Sequence, residues 1–376
     1  MTDFEKTYQN YNPRQAALDE ARALLTAAAK AAMADGTLPE AELPAFIVEI
    51  PADVKNGDIA SNLAMAGART WRKAPKMIAD ALLAHLPSLE NSVFSKVEVA
   101  GPGFINLFLS QSFWAGVVLG ACANKEYGRT DHGKGAKYNV EFVSANPTGP
   151  MHMGNARGGV LGDTLASVLQ KSGADVWREF YVNDAGNQIE KFAKSLEARY
   201  LQIIKGEDAV EFPEDGYHGD DIRELAQAFY ENEGDKYLDC DEKTRHDALA
   251  QFGLSVNIPK MKADLARYGI QYDQWFFESS LHDSGYVADT VQALTDRGYT
   301  YEKDGALWLK TSDILAAQLR QEGKSDEAIE KLGLKDDVLR RANGFYTYFA
   351  ADIAYHRNKF AVRGFDKVIN LSLIHI

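Results

Sequence analysis

The run Val140-Glu141-Phe142-Val143-Ser144-Ala145-Asn146-Pro147-Thr148-Gly149-Pro150-Met151-His152-Met153-Gly154-Asn155-Ala156-Arg157-Gly158-Gly159 decides how this chain folds. It reads as a buried strand, a tight turn and the start of a helix. Tyr138, Val140 and Phe142 alternate with Asn139 and Glu141, the period of two expected of a strand. Pro147, Gly149 and Pro150 punctuate the turn. Leu161, Leu165, Val168 and Leu169 then recur at helical spacing, and Gly173 stands where a helix stop belongs. Asp175–Val182 (DVWREFYV) reads as a second strand. Strand, helix and strand in this length make a βαβ unit, with a right-handed crossover and a parallel sheet.

In such a unit the first strand-to-helix turn lies at the carboxyl edge of the sheet, where open α/β folds bind ligands. The helix start adds unpaired N–H groups and a partial positive charge, which suit phosphate. The turn lacks both the GxGxxG of dinucleotide sites and the GKS/T of a P-loop; it carries His152-Met153-Gly154-Asn155 instead. Gly154 would let a nucleotide ring approach the backbone. His152 and Asn155 can donate hydrogen bonds to phosphate oxygens as charge develops in a transition state.

The segment SANPTGPMHMGNARGG, Ser144 to Gly159, closely resembles the HxGH signature region of class I aminoacyl-tRNA synthetases, and of the arginyl-tRNA synthetase family in particular. The resemblance covers nearly the whole chain from Asp58 to Asn370. It implies a Rossmann-like parallel-sheet catalytic core with insertions, preceded by a small α/β N-terminal domain. The second His of the signature is Asn155 here, which can still donate a hydrogen bond but cannot carry charge. The resemblance makes His152 and Asn155 the catalytic pair, and lines the ATP site with Pro147, Thr148, Gly149, His152, Gly154 and Asn155.

Composition sets the outer bounds. At 376 residues the chain has room for two to three domains, and 45% apolar with 25% charged residues is ordinary for a globular protein. Two cysteines, Cys122 and Cys240, make neither a disulfide framework nor a zinc set. They suit a reducing, cytoplasmic setting, and no metal-ligating residues are assigned. No apolar run is long enough to span a bilayer, so no membrane partner is expected. The net charge of −13 looks wrong for an RNA partner until it is located. Fourteen acidic and two basic residues (Arg223 and Lys236) fall between Glu207 and Glu242, which accounts for nearly all of it.

The expected layout follows from these signals. Residues 1–112 read as the small α/β domain, with a helix over Ala16–Met33, a short strand at Ile47–Ile50 and Asp58 capping a helix that includes Trp71. Val97–Leu109 reads as strand, Gly-Pro-Gly turn, strand. Residues 113–135 form a linking helix and loop, and 136–370 the catalytic core, incomplete at its end. An acidic insertion over about 205–250 is expected at the surface, clear of nucleic acid. Tyr299–Leu309 reads as a hairpin turning at Asp304-Gly305, and Ser312–Lys335 as a mobile polar stretch. Arg69, Arg72, Lys73 and Lys76 lie beside Trp71 with no acid among them; alone they suit either a solvated helix end or phosphate contact. The pieces NGDIASNLAM and AGPGFINLFL resemble the family's N-terminal domain, which contacts the outer corner of the tRNA, and this favours the RNA role.

Two further stretches stay open on pattern alone. Asn183-Asp184-Ala185-Gly186-Asn187-Gln188 is either a capping turn or, like the family's NDxGxQ element, a loop facing the active site. Tyr348, Asp352 and His356 share one helical face. Asp352 sits among Phe349, Ala350, Ala351, Ile353 and Ala354, so it should meet a cation, internally Arg357 or Arg363. The resemblance assigns the Tyr-x-x-x-Asp pair instead to an arginine pocket, with Glu141, Ser144 and Asn146. Asp352 would take the planar guanidinium, Tyr348 would orient it, and Asn146 and Glu141 would meet the α-amino group, though these last roles could exchange.

The implied function is ATP-dependent activation of L-arginine to its adenylate, with Mg²⁺ assisting, and transfer to tRNA(Arg), by a monomer. The arginine carboxylate attacks the α-phosphorus, pyrophosphate leaves, and no covalent enzyme intermediate is required. The alternatives are an HxGH nucleotidyltransferase acting on a small molecule and a synthetase-derived RNA-binding module. Family members continue past this length with a KMSK-type loop and an anticodon-binding domain, and no Lys-Met-Ser-Lys-like sequence occurs here. Residues 371–376 (LSLIHI) resemble a translated sequencing-library adaptor and are expected to be a non-native tail, His375 included. The chain is therefore expected to be weakly active or inactive by itself.

Overall fold

A computed structural model describes residues 12–371, so all but the first residue of the expected tail, His375 among them, lies outside the described residues. The chain divides into two compact units, up to Thr130 and from Asp131, inside the linker placed at 113–135.

In the first unit, helix α1 (Pro13–Ala34) starts at Asn12, whose side chain accepts the Gln15 N–H, with Pro13 at the first helical position. Its buried stripe is Ala17, Ala21, Leu25, Ala28 and Ala32, small residues that bring the helix close to its neighbours. Strands β1 (Val48–Glu49), β2 (Ile59–Ser61), β3 (Phe94–Ala100) and β4 (Phe104–Leu109) form an antiparallel sheet in the order β1-β2-β4-β3. The hairpin read over Val97–Leu109 is β3 and β4. Asp58 caps no helix. It precedes strand β2, and its carboxylate accepts the Leu109 N–H at 2.8 Å, fixing one strand to another. Short helices α2 (Leu63–Ala66) and α3 (Ala68–Trp71) follow, then α4 (Pro75–Ala84). Trp71 is fully buried in the apolar core, so its ring is not available to RNA. Helix α5 (Gln111–Ala123) ends the unit's regular structure.

The second unit is built on β5 (Lys137–Phe142), α6 (Met153–Lys171) and β6 (Asp175–Val182), the βαβ unit read from the sequence. The parallel sheet has the order β11-β5-β6-β7, with β7 at Gln274–Phe277 and β11 at Lys367–Leu371. The period of two sorts its side chains. Val140, Phe142, Val176, Phe180 and Val182 enter one apolar cluster with Ile258, Met261 and Leu265. Asn139, Glu141, Trp177, Glu179 and Tyr181 point to the other face. Gly162 lets α6 lie on β5, since a Cβ there would stand 2.1 Å from the Phe142 ring.

The acidic segment expected at the surface is helical and rooted in a core of its own: α7 (Asn187–Lys205), α8 (Asp220–Glu233) and α9 (Glu242–Arg267) share Phe192, Leu196, Tyr200, Ile222, Leu225, Ala226, Phe229 and Leu249. The acids occupy the outward positions of an amphipathic α8, and the apolar stripe read through them is what folds. After β7 come α10 (Ser279–Asp283) and α11 (Tyr286–Asp296), then the expected hairpin, β8 (Thr300–Lys303) and β9 (Ala306–Leu309), turning at Asp304 and Gly305, both of positive φ. The stretch read as mobile is helical, α12 (Thr311–Gln321) and α13 (Asp326–Glu330). Asp336 accepts from the backbone and hydroxyl of Ser312, which ties it down. Strand β10 (Asp337–Arg340) pairs with β9, and α14 (Tyr348–Arg357) leads through a wide π-type turn, Asn358–Val362, to β11.

Candidate active site at the carboxyl edge of the parallel sheet

The chain leaves β5 through two residues of left-handed backbone, Val143 (φ 69°) and Ser144 (φ 41°). For a β-branched residue this is a true outlier, costing on the order of 1–3 kcal/mol, and such strain gathers at functional sites. It is held in place by Ser144, whose hydroxyl donates to Glu141 at 3.2 Å and accepts the Tyr181 N–H at 3.1 Å. Beyond the kink, Asn257 donates to the Pro147 carbonyl at 2.9 Å.

His152 then caps α6. Its Nδ1 accepts the Gly154 N–H at 3.1 Å, while the Asn155 side chain accepts the His152 N–H at 2.9 Å, a reciprocal capping box. This explains two residues. A Cβ on Gly154 would stand 2.9 Å from the His152 ring, so glycine is required for the ring to fold over the turn. Asn155 spends its carbonyl on the cap and keeps its amide N–H groups for a ligand. Because Nδ1 is an acceptor, Nε2 carries the proton of the neutral ring and His152 remains a donor.

A cleft of about 530 Å³ opens at this bend, lined by Ser144, Asn146, Thr148, Gly149, His152 and Asn155 among others. Of the residues expected around ATP, Thr148, Gly149, His152 and Asn155 reach it. Pro147 is buried beneath, and Gly154 lies under the His152 ring. Its other wall comes from Tyr217, His218, Gly219 and Asp221, residues of the acidic segment that sequence reasoning left at the surface. The signal was the aromatic pair between Gly216 and Gly219, out of place in an acidic run. Tyr217 is fixed to α7 by its hydroxyl on Gln188 (2.5 Å) and its N–H on Ser195 (2.9 Å).

Tyr348 opens α14, and its hydroxyl accepts the Asn187 N–H at 2.9 Å. The loop 183–188 is thereby brought against the Tyr-x-x-x-Asp helix. A second cleft of about 600 Å³ lies there, lined by Gly186, Asn187, Glu278, Arg341, Phe345 and Tyr348 among others. Burial pushes the carboxyl of Glu278 above its ordinary range, against hydrogen bonds from Tyr181 and His282.

Asp352 is not in apolar company. Its side chain is 62% exposed, and its partner is His356, Nδ1 to Oδ1 at 3.3 Å. The two arginines offered as partners go elsewhere, Arg357 to Thr290 and Arg363 to Glu179. Glu141 is also engaged: fully buried Lys359 donates to it at 2.6 Å. Lys359, Arg363 and the Tyr355 hydroxyl (2.5 Å) all converge on the polar sheet face around Glu179, itself fully buried. Burial pulls the Lys359 ammonium down and Glu141 pulls it back up. This cluster escaped sequence reasoning, although the charged Glu179 amid VWREFYV was its sign.

Known proteins share this architecture. The family described as arginyl tRNA synthetase N terminal domain matches residues 19–109, and that described as tRNA synthetases class I (R), catalytic domain, matches 118–373. This chain belongs to the arginyl-tRNA synthetase family. An arginine–tRNA ligase of Acetivibrio thermocellus is 51% identical over 341 residues, 90% of this chain and 57% of that one. One of Caldanaerobacter subterraneus subsp. tengcongensis is 51% identical over 358 residues, 95% of this chain and 60% of that one. The chain thus spans under two thirds of the length of these relatives. A Campylobacter jejuni crystal structure described as an arginyl tRNA synthetase superposes with a TM-score of 0.57 at 33% identity, covering 70% of this chain and 53% of that one.

Within the arginyl-tRNA synthetase fold, the N-terminal basic residues are arranged unevenly. Arg69, Arg72 and Lys76 are exposed, whereas Lys73 is half-buried and donates to the Thr37 carbonyl at 2.7 Å. Elsewhere Glu197, Glu242 and His246 bring ligating atoms within 4.8 Å of one another. Glu197 is already engaged by Arg245 at 2.6 Å and His246 at 2.7 Å, so the group acts as an ion cluster between helices. Among the described residues no helix is long and apolar enough to cross a membrane.

Proposed function

We propose that this chain carries the amino-acid-activating centre of an arginine–tRNA ligase, which joins L-arginine to ATP as arginyl-adenylate and passes it to tRNA(Arg). The observation that carries the reading is the His152 cap, with Nδ1 tied to the Gly154 N–H and Nε2–H left as a donor at the mouth of a cleft whose backbone is strained into position. The arginine carboxylate attacks the α-phosphorus, and pyrophosphate departs. His152, the Asn155 amide and the α6 N–H groups stabilise the charge that develops on the phosphate oxygens.

Asp352 takes the guanidinium, Tyr348 orients it, and Ser144 and Asn146 serve the backbone end of the ligand. Glu141 acts by holding Ser144 rather than by direct contact, which its bond to Lys359 supports. Mg²⁺ takes oxygen ligands and usually combines one or two carboxylates with substrate phosphates. Asp221, whose Oδ2 lies 3.2 Å from where a Gly149 Cβ would stand, fits that requirement, and the ion would neutralise phosphate charge there. Of the four basic residues beside Trp71, Arg69, Arg72 and Lys76 contribute phosphate contacts to the tRNA, and Lys73, tied to the Thr37 carbonyl, holds the segment in place. The reading carries with it a monomer working in the cytoplasm.

Direct binding tests it. Titration calorimetry should detect arginine and reject lysine and citrulline, because either analogue leaves a polar group of the pocket unpaired. Asp352→Asn should abolish arginine binding and spare ATP. His152→Ala should weaken ATP binding in the same titration and spare arginine, because the Nε2–H donor is lost from the cleft at the bend. Equal binding of all three amino acids, or ATP binding indifferent to His152, refutes the reading.

A further inference from the structure

Asp352 and Glu141 stand on different elements, yet one chain of hydrogen bonds joins them. His356 Nδ1 lies 2.9 Å from the Asp352 carbonyl and 3.3 Å from its carboxylate. The Asn370 amide donates to His356 Nε2 at 2.9 Å, and Lys359 donates to the Asn370 carbonyl oxygen at 3.3 Å and to Glu141 at 2.6 Å. Each donor fixes the next acceptor. Lys359 can only donate, so it holds Asn370 with its oxygen inward and its NH₂ toward His356. That NH₂ needs a lone pair on Nε2, so the proton of the neutral ring resides on Nδ1, against Asp352.

We propose that His356 is a positioning residue for the ligand-binding carboxylate, and that a second proton on His356 competes with the arginine side chain for Asp352. The inference rests on the reading of Asp352 given above. The neutral imidazole steers the carboxylate with one N–H and leaves its charge for the guanidinium. The imidazolium brings a full positive charge to the same carboxylate, and its new Nε2–H opposes the Asn370 NH₂, so the amide must turn and Lys359 loses its second acceptor.

The other charged groups around His356 are already committed. Tyr355 on its own helix and Tyr181 on β6 are pushed up by burial and stay neutral. Glu141 on β5 and Glu179 on β6 are paired with Lys359 and Arg363, and β11 presents the neutral Asn370. The hydrogen bond to Asp352 raises His356 above its usual value, so the two groups are linked in the sense the competition requires.

The test is arginine affinity by titration calorimetry from about pH 8 to about pH 6, with ATP affinity as the control. Arginine should bind several-fold more weakly at the lower pH while ATP is unaffected, and binding should release a proton, read from the dependence on buffer ionisation enthalpy. His356→Gln keeps an N–H donor that does not titrate, so it should bind arginine as the wild type does at high pH and lose the slope. His356→Phe, which keeps the volume without the donor, should bind weakly at every pH. Thermal melts confirm folding of each variant. If His356→Gln retains the wild-type slope, or if the wild type shows none, the proposal is overturned. Arginine binding that survives Asp352→Asn instead overturns the underlying assignment of Asp352, whatever His356 does.

Discussion

The two faces of the four-stranded parallel sheet are made from the same strands and solve opposite problems. One face is hydrocarbon: Val140, Phe142, Phe180 and Val182 pack under α6 and α9, with the Phe180 and Trp275 rings stacked at 4.1 Å. The other carries Glu141, Glu179 and Tyr181 against Lys359, Arg363 and Tyr355. Buried charges bring little net stability, because desolvation offsets most of their attraction, but they tolerate very few arrangements. The difference between the faces teaches a division of labour: the apolar face holds the fold together, and the charged face sets where α14 and the bend after β5 must stand.

The comparison is broken most severely at Lys359. Lys359→Met leaves Glu141 and Glu179 short of a cation on a buried face, and urea unfolding should show a loss of about 3–5 kcal/mol. The pair Lys359→Met with Glu141→Gln should recover part of it, since an unpaired charge costs more than an absent pair. A smaller effect is expected from the hydrocarbon face. Gly162→Ala drives a methyl toward the Phe142 ring and should cost about 1–3 kcal/mol by the same measurement, with Phe142→Leu relieving some of the strain.

The smallest effect serves as a control from the other unit, where charge lies at the surface. Hydrogen bonds from Thr37 and His85 bring Asp35 down from 3.8 to about 2, and the Ala81 carbonyl and Asp35 raise His85 above 6.5. The Asp35 contribution is present above pH 3.8 and is lost as pH falls toward about 2. That of His85 is present below pH 6.5 and is lost as pH rises through the raised value. Melting temperature should therefore drop slightly between mildly acidic and alkaline buffer, and His85→Gln should flatten that drop. The effect stays slight because solvent screens the pair.

Much of this was legible in the sequence because it was local. Alternation gave β5 and β6, glycine and proline marked the bend, and Asp304-Gly305 announced its hairpin. The capping role of His152 and Asn155 was implicit in their spacing, although phosphate chemistry overshadowed it. What failed were judgements about partners distant in the chain. Asp58 looked like a cap because Leu109, its true partner, lies far along the sequence. Asp352 looked buried because its sequence neighbours are apolar, but on a helix those neighbours face elsewhere. The acid-rich segment was judged by its charge count, which hides the stripe Ile222, Leu225, Ala226 and Phe229 that roots it beside the bend.

The left-handed backbone at Val143 and Ser144 makes the mouth of the cleft a bend kept under tension. A glycine at Val143 would ease the dihedral strain, but it would also strip away a side chain that packs on the Val140 and Phe142 cluster and loosen the loop, so hydrocarbon contact is what keeps this corner sharp.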